Sequence, residues 1–139
     1  MNRADPSLHW IMLGLAAAAL LLAAVLQVDA SGQVADAFLG LPLPDSCMFR
    51  QVTGVPCPGC GLTRCFICLM RGDVARAWGF NPSGLLLFLV VAAQVPYRLL
   101  QLMRIRRQQK ELRLTTLTLI VCCLIALSLI GQWVFRLLV

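Results

Sequence analysis

The sequence predicts an all-α polytopic membrane protein, with three transmembrane helices and short interfacial or re-entrant helices between the first and second. Two observations carry this. Of 139 residues, 60% are hydrophobic and only 13% charged, at a mean hydropathy of +0.83; soluble chains average about 45–50% apolar and 25% charged. The apolar residues also gather into three runs, near 10–28, 83–103 and 114–137, each long enough to cross a bilayer as a helix. Residues 29–82 leave little polar mass for a separate soluble domain, so 1–139 reads as a single membrane domain.

The first run, Ile11 to Val28, carries no charge and is rich in Ala and Leu. His9 and Trp10 stand at its start, where amphipathic rings prefer the membrane interface. A cleaved signal peptide is the rival reading, because Val28-Asp29-Ala30 resembles a cleavage site. The run is longer than a signal core and Arg3 is its only upstream positive charge, which favours a retained helix. Asn81-Pro82 opens the second run: Asn caps helices, and Pro suits the first helical position because its missing N–H would be unpaired there. Pro96 removes a hydrogen bond inside this helix and predicts a kink. Thr115, Thr116 and Thr118 mark the start of the third run, and Gln132, Trp133 and Arg136 an interfacial end.

Charge sets the expected orientation. Arg104, Arg106, Arg107, Lys110 and Arg113, against the single acid Glu111, make the loop between the second and third runs cytoplasmic. Three spans put the N-terminus on that side and residues 29–82 on the outer face of a bacterial inner membrane. The net charge of +6 is therefore concentrated where topology and anionic headgroups use it, which argues against nucleic-acid binding.

Within 29–82, Ser31 is positioned to cap a short helix through Val34, Phe38 and Leu41, stopped by Pro42 and Pro44. Leu62 to Met70 is apolar but too short to span, and reads as re-entrant or interfacial. Gly72-Asp73 breaks it, and Asp73 caps a further short helix from Val74 to Trp78.

Chemistry concentrates in Cys57-Pro58-Gly59-Cys60-Gly61-Leu62-Thr63-Arg64-Cys65-Phe66-Ile67-Cys68. Gly59 and Gly61 permit a tight turn. A helix from Leu62 then puts Cys57 and Cys60 at its amino end, where unpaired N–H groups and the dipole stabilise a thiolate. Arg64 adds positive charge. Three readings follow. Thiol–disulfide exchange needs one attacking and one resolving thiol, here Cys57 and Cys60. A zinc or iron–sulfur site would use Cys57, Cys60, Cys65 and Cys68, although the x4 spacer is short and Cys65 and Cys68 share a helix. In an oxidising compartment the bland reading is a structural disulfide, with Cys47 as a further partner. Cys122 and Cys123 lie within the third run and read as packing residues. Arg64, Arg71, Asp73 and Arg76 are expected to form ion pairs that lock the short helices onto the spans, or to contact headgroups. With one histidine, far from the cysteines, Cys-His catalysis is not supported, and no Ser-His-Asp set, phosphate loop or zinc-protease motif is present.

Cys47, then Thr53-Gly54-Val55-Pro56-Cys57-Pro58-Gly59-Cys60-Gly61-Leu62-Thr63-Arg64, Gly72-Asp73 and Asn81-Pro82 together resemble the bacterial membrane family named domain of unknown function 2752, over roughly residues 45–90. The resemblance implies a small polytopic membrane protein with the cysteine loop as its signature and no established activity. The family pattern carries over to Cys47, Cys57, Cys60, Thr63, Arg64, Gly72, Asp73, Asn81 and Pro82. Cys65 and Cys68 depart from it, which leaves Cys47, Cys57 and Cys60 as the better set and weakens the four-cysteine metal site. The expectation is a non-enzymatic accessory protein or complex subunit without a cofactor. A dithiol oxidoreductase and a zinc-binding membrane protein are the alternatives. The bilayer is its first partner, with another membrane protein or a second copy in addition; no span carries a Gly-x-x-x-Gly motif.

Overall fold

A computed structural model describes residues 6–29, 32–36, 47–109 and 115–138. Three helices have the length and apolarity to cross a membrane: α1 (Pro6–Val25), α5 (Pro82–Arg106) and α6 (Thr115–Leu138). Between α1 and α5 lie β1 (Leu26–Val28), β2 (Val34–Asp36), α2 (Met48–Thr53), α3 (Leu62–Met70) and α4 (Val74–Phe80). The three spans and short intervening helices agree with the sequence reading, and residues 62–70 form the expected short helix.

The local signals act as read. Asp73 caps α4, its Oδ1 accepting the Arg76 N–H at 3.0 Å. Asn81 caps α5, its Oδ1 accepting the Gly84 N–H at 3.1 Å, with Pro82 opening the helix. The helix runs on through Pro96 to Arg106.

One expectation is corrected. Val34–Asp36 is a strand, not the middle of a helix, and pairs antiparallel with the last residues of the first apolar run (Leu26↔Asp36, Gln27↔Ala35, Val28↔Val34). Turn chemistry is the reason. The Asp29 carboxylate accepts the Gln33 N–H at 2.8 Å and its carbonyl accepts the Gly32 N–H at 3.1 Å, while Gly32 takes φ +82°. That closure is local and outweighs a weak helical periodicity. Ser31, Phe38, Leu41, Pro42 and Pro44 lie outside the described residues.

The densest packing sits at one end of the bundle. Cys65, Cys68 and Ala77 are buried together, with Val28, Leu69, Phe80 and Leu85 around them, and Phe66 meets Phe88 edge to face at 5.3 Å. Thus α3 and α4 cover the end where α1 finishes and α5 begins. The shafts of the spans are packed more thinly: α1 buries Ala16 and Ala23, while Leu15, Leu21, Leu89 and Leu127 stand out from the bundle, as side chains facing hydrocarbon do.

Polar contacts fix both ends. At the cysteine end, the Ser83 hydroxyl and N–H both donate to Gln132 Oε1 of α6, at 2.8 and 3.0 Å. At the other end, Arg98 Nη1 lies 2.9 Å from His9 Nδ1. His9 is therefore buried between α1 and α5 and is not a free interfacial ring; its neighbour Trp10 is exposed. Among the described residues, two of the arginines expected to lock the short helices reach backbone carbonyls. Arg71 donates to the Leu26 carbonyl at 3.1 Å and Arg76 to the Asp29 carbonyl at 2.9 Å, and the Arg76–Asp73 pair stays within α4 at 4.0 Å.

Candidate thiol site

Cys47 stands immediately before α2, while Cys57 and Cys60 lie on the turn leading into α3. That turn is closed by two backbone bonds, Cys60 N–H to the Cys57 carbonyl at 3.0 Å and Leu62 N–H to the Gly59 carbonyl at 3.1 Å. Of the two glycines read as permissive, Gly61 is the one required. It takes φ +88°, and a Cβ there would stand 2.6 Å from the Phe80 carbonyl oxygen. The turn can approach α4 this closely only without a side chain.

Within this frame three sulfurs converge. Cys47 Sγ and Cys57 Sγ are 3.5 Å apart, and Cys60 Sγ is 3.3 Å from each. The Cys57 N–H also donates to Cys60 Sγ at 3.2 Å. The three thiols are unbonded to one another and partly buried. Cys65 and Cys68 do not join them. Both point into the core from α3, with Cys65 Sγ against Gly84. The four-cysteine metal set of the sequence reading is therefore not assembled: one helix carries Cys65 and Cys68 inward, while the turn presents Cys57 and Cys60 outward. The metal-competent group among the described residues is Cys47, Cys57 and Cys60. Cys122 and Cys123 are exposed on α6, among side chains facing hydrocarbon.

The sequence reading expects a lowered thiol at Cys60, and there burial acts the other way. A helix-start effect is present at α2. The Arg50 backbone N–H, followed by the thiols of Cys60 and Cys57, draws the Cys47 thiol down to about 7. Burial, followed by the thiols of Cys47 and Cys57, pushes Cys60 up to about 11. Burial likewise pushes Cys65 up to about 11 and raises Cys68. Cys47 is therefore more acidic than Cys60.

The start of α5 and the end of α6 pin the loop and its neighbour α4. The fully buried Asn81 spends its Nδ2 on the carbonyls of Cys60 (3.2 Å) and Pro58 (3.4 Å), while its Oδ1 caps α5. One side chain thus ties the cysteine turn to the start of a membrane span. From α6, Trp133 Nε1 donates to the Pro56 carbonyl at 2.8 Å and Arg136 to the Phe80 carbonyl at 2.7 Å. The sequence reading missed these roles; its only signal was Gln132, Trp133 and Arg136 clustered at one helix end. Asp73 holds α4, and the Arg64 guanidinium lies 6.0 Å from the centre of the Phe80 ring, so both act on the frame. Thr63 borders an apolar cleft between α1, α3 and α5 and does not contribute to the thiol triangle.

Chemically, three soft donors in a triangle suit a thiophilic ion. A tetrahedral zinc with bonds of about 2.3 Å needs sulfurs about 3.7–3.8 Å apart. The observed 3.3–3.5 Å edges would have to open by a few tenths of an ångström to accept such an ion. Three ligands leave a fourth position for water or an external donor. The same proximity allows any two sulfurs to form a disulfide.

Fold and site together define a small three-span membrane protein carrying a three-thiol cluster at one end of its bundle. Residues 47–95 match the model of the family described as Protein of unknown function (DUF2752), so the resemblance read from the cysteine, Gly-Asp and Asn-Pro motifs holds over that segment. No curated protein matches the chain, and no solved structure does.

Proposed function

We propose that this chain is a non-enzymatic membrane protein whose Cys47–Cys57–Cys60 trio binds a thiophilic metal ion, zinc foremost, on the outer face of a bacterial inner membrane. A single observation carries the reading: Cys47, ten residues before Cys57, reaches within 3.5 Å of it and 3.3 Å of Cys60. A two-cysteine disulfide needs no third sulfur, whereas a thiolate metal site does in a chain whose one histidine, His9, stands at the other end of the bundle. Asn81, Trp133 and Arg136, which hold the turn and its neighbours from two different spans, supply the rigidity such a site requires. The basic 104–113 loop supports the orientation, and the open fourth position fits an accessory protein that meets a donor from another membrane protein or a second copy.

The test is metal content of the full chain purified in mild detergent under reducing, chelator-free conditions. About one zinc per chain is expected, with Cys47→Ser and Cys57→Ser reducing it to background. Less than about one-tenth of an atom per wild-type chain ends the proposal, since a structural site stays occupied. A membrane-impermeant thiol reagent tests the orientation: labelling of the reduced loop only after the inner membrane is opened would reverse it.

The lowered Cys47 thiol and the raised Cys60 thiol favour a second reading, dithiol–disulfide exchange, in which Cys47 attacks. The Cys47 thiolate would displace one sulfur of a substrate disulfide to form a mixed disulfide. Cys60 or Cys57, on losing its proton, would then resolve it, leaving an intramolecular disulfide and a reduced substrate dithiol. Alkylation and mass spectrometry across a glutathione redox series separates the readings. A trio that stays fully reduced and metal-loaded throughout excludes exchange.

A further inference from the structure

We infer that the junction of α1 and α5, at the end opposite the cysteines, binds the phosphate of one anionic phospholipid headgroup, with Arg98 as its anchor. From Pro82 to Arg98 the span rises about 24 Å, close to the far boundary of a hydrocarbon core of about 30 Å. There the half-buried Arg98 is held in one orientation by neutral partners. Its Nη1 donates to His9 Nδ1 at 2.9 Å, its Nε to Gln94 Oε1 at 3.0 Å, and its guanidinium lies 5.4 Å from the centre of the Tyr97 ring. Because an arginine can only donate, His9 accepts through Nδ1 and carries its proton on Nε2. Gln101, almost fully buried, donates to the Tyr97 hydroxyl at 3.0 Å and steadies that ring.

Among the described residues the arrangement orients a cation and brings no carboxylate to it. A guanidinium has five N–H donors; two are used in these bonds, and the others are available to an anion. The side-chain carboxylates described, those of Asp29 and Asp73, belong to the opposite end. A charge at the edge of hydrocarbon is expensive without a counter-charge. The planar fork of arginine matches two oxygens of a phosphate. Leu8, Ile11, Leu99 and Leu100 are exposed at the same level and offer an apolar flank for acyl chains, which selects a lipid phosphodiester over free phosphate.

The test uses the full chain in phosphatidylcholine nanodiscs with graded phosphatidylglycerol, and native mass spectrometry to count retained lipids. One retained phosphatidylglycerol per chain is expected. Arg98→Gln should weaken that retention about tenfold, the scale of losing charge-assisted hydrogen bonds. Arg106→Gln makes the same change in net charge and should leave the retained lipid in place. Arg98→Lys keeps the charge but loses the fork and should weaken retention in part; it carries the test if Arg98→Gln does not fold. Equal loss in the Arg98→Gln and Arg106→Gln variants would reduce the effect to diffuse surface charge and overturn the site. So would indifference of the wild type to phosphatidylglycerol, or displacement of the lipid by millimolar inorganic phosphate.

Discussion

The chain carries two Cys-x-x-Cys pairs of identical spacing within twelve residues, and they have opposite fates. Cys57 and Cys60 flank a turn whose backbone bonds to itself, so their sulfurs stand 3.3 Å apart and stay open to a third thiol. Cys65 and Cys68 are on α3, where the same spacing places both on the helix face that packs against α4 and α5. A turn converges side chains; a helix face aims them at whatever packs against it. Spacing alone does not make a ligand pair.

The sharpest way to break this contrast is Gly61→Ala. It forces a non-glycine residue into positive φ and sets a Cβ 2.6 Å from the Phe80 carbonyl oxygen. We expect a loss of about 2–4 kcal/mol, with all three loop thiols becoming freely alkylated in the folded-state assay. Next, Cys47→Ser should lower metal affinity by at least about 100-fold with little change in the thermal stability of the metal-free protein. The Cys65→Ala/Cys68→Ala double variant should do the reverse, retaining metal while losing about 1–2 kcal/mol from the core. If the double variant loses metal as Cys47→Ser does, the division between the two pairs is wrong.

Acidity offers a reading of the same division without mutation. With its thiol drawn down to about 7, Cys47 should alkylate tenfold faster per pH unit up to that value and then level off. Cys60, pushed up to about 11, should still be accelerating above pH 9, and Cys65 should be protected by burial as well as by its raised pKa. The apo protein is the form to measure, by mass spectrometry of each cysteine peptide.

Smaller changes sharpen the comparison by loosening only the turn. Asn81→Asp keeps the oxygen that caps α5 but replaces the two donations to Pro58 and Cys60 with carboxylate–carbonyl repulsion. A loss of about 1–3 kcal/mol is expected, with weaker metal binding and intact helix content by circular dichroism. Trp133→Phe removes one bond to the Pro56 carbonyl and should have the smallest effect, about 1 kcal/mol and a few-fold in metal affinity.

Sequence was informative where the determinant is local or compositional. Three apolar runs define three spans because a bilayer demands length and hydrophobicity and little else. Asp73 and Asn81 were readable as caps because an N-cap bonds within three residues of itself. The strand at Val34–Asp36 was misread because its pairing depends on a turn closed by Asp29 and Gly32, a stronger signal than the periodicity that was followed. His9 was legible as a polar ring at a helix start; Arg98, its partner, lies 89 residues away in sequence.

By itself, then, the sequence determined the membrane class, the number of spans and the segment where chemistry is concentrated. Tertiary structure alone decided which cysteines meet. Cys47 joins Cys57 and Cys60 across ten and thirteen residues of chain, while Cys65, nearer in sequence to Cys60, is turned away against Gly84. The reason is physical: composition and caps act over one or two turns of chain. The direction in which a sulfur points is set by what the backbone behind it is fastened to, here Asn81 on one span and Trp133 on another.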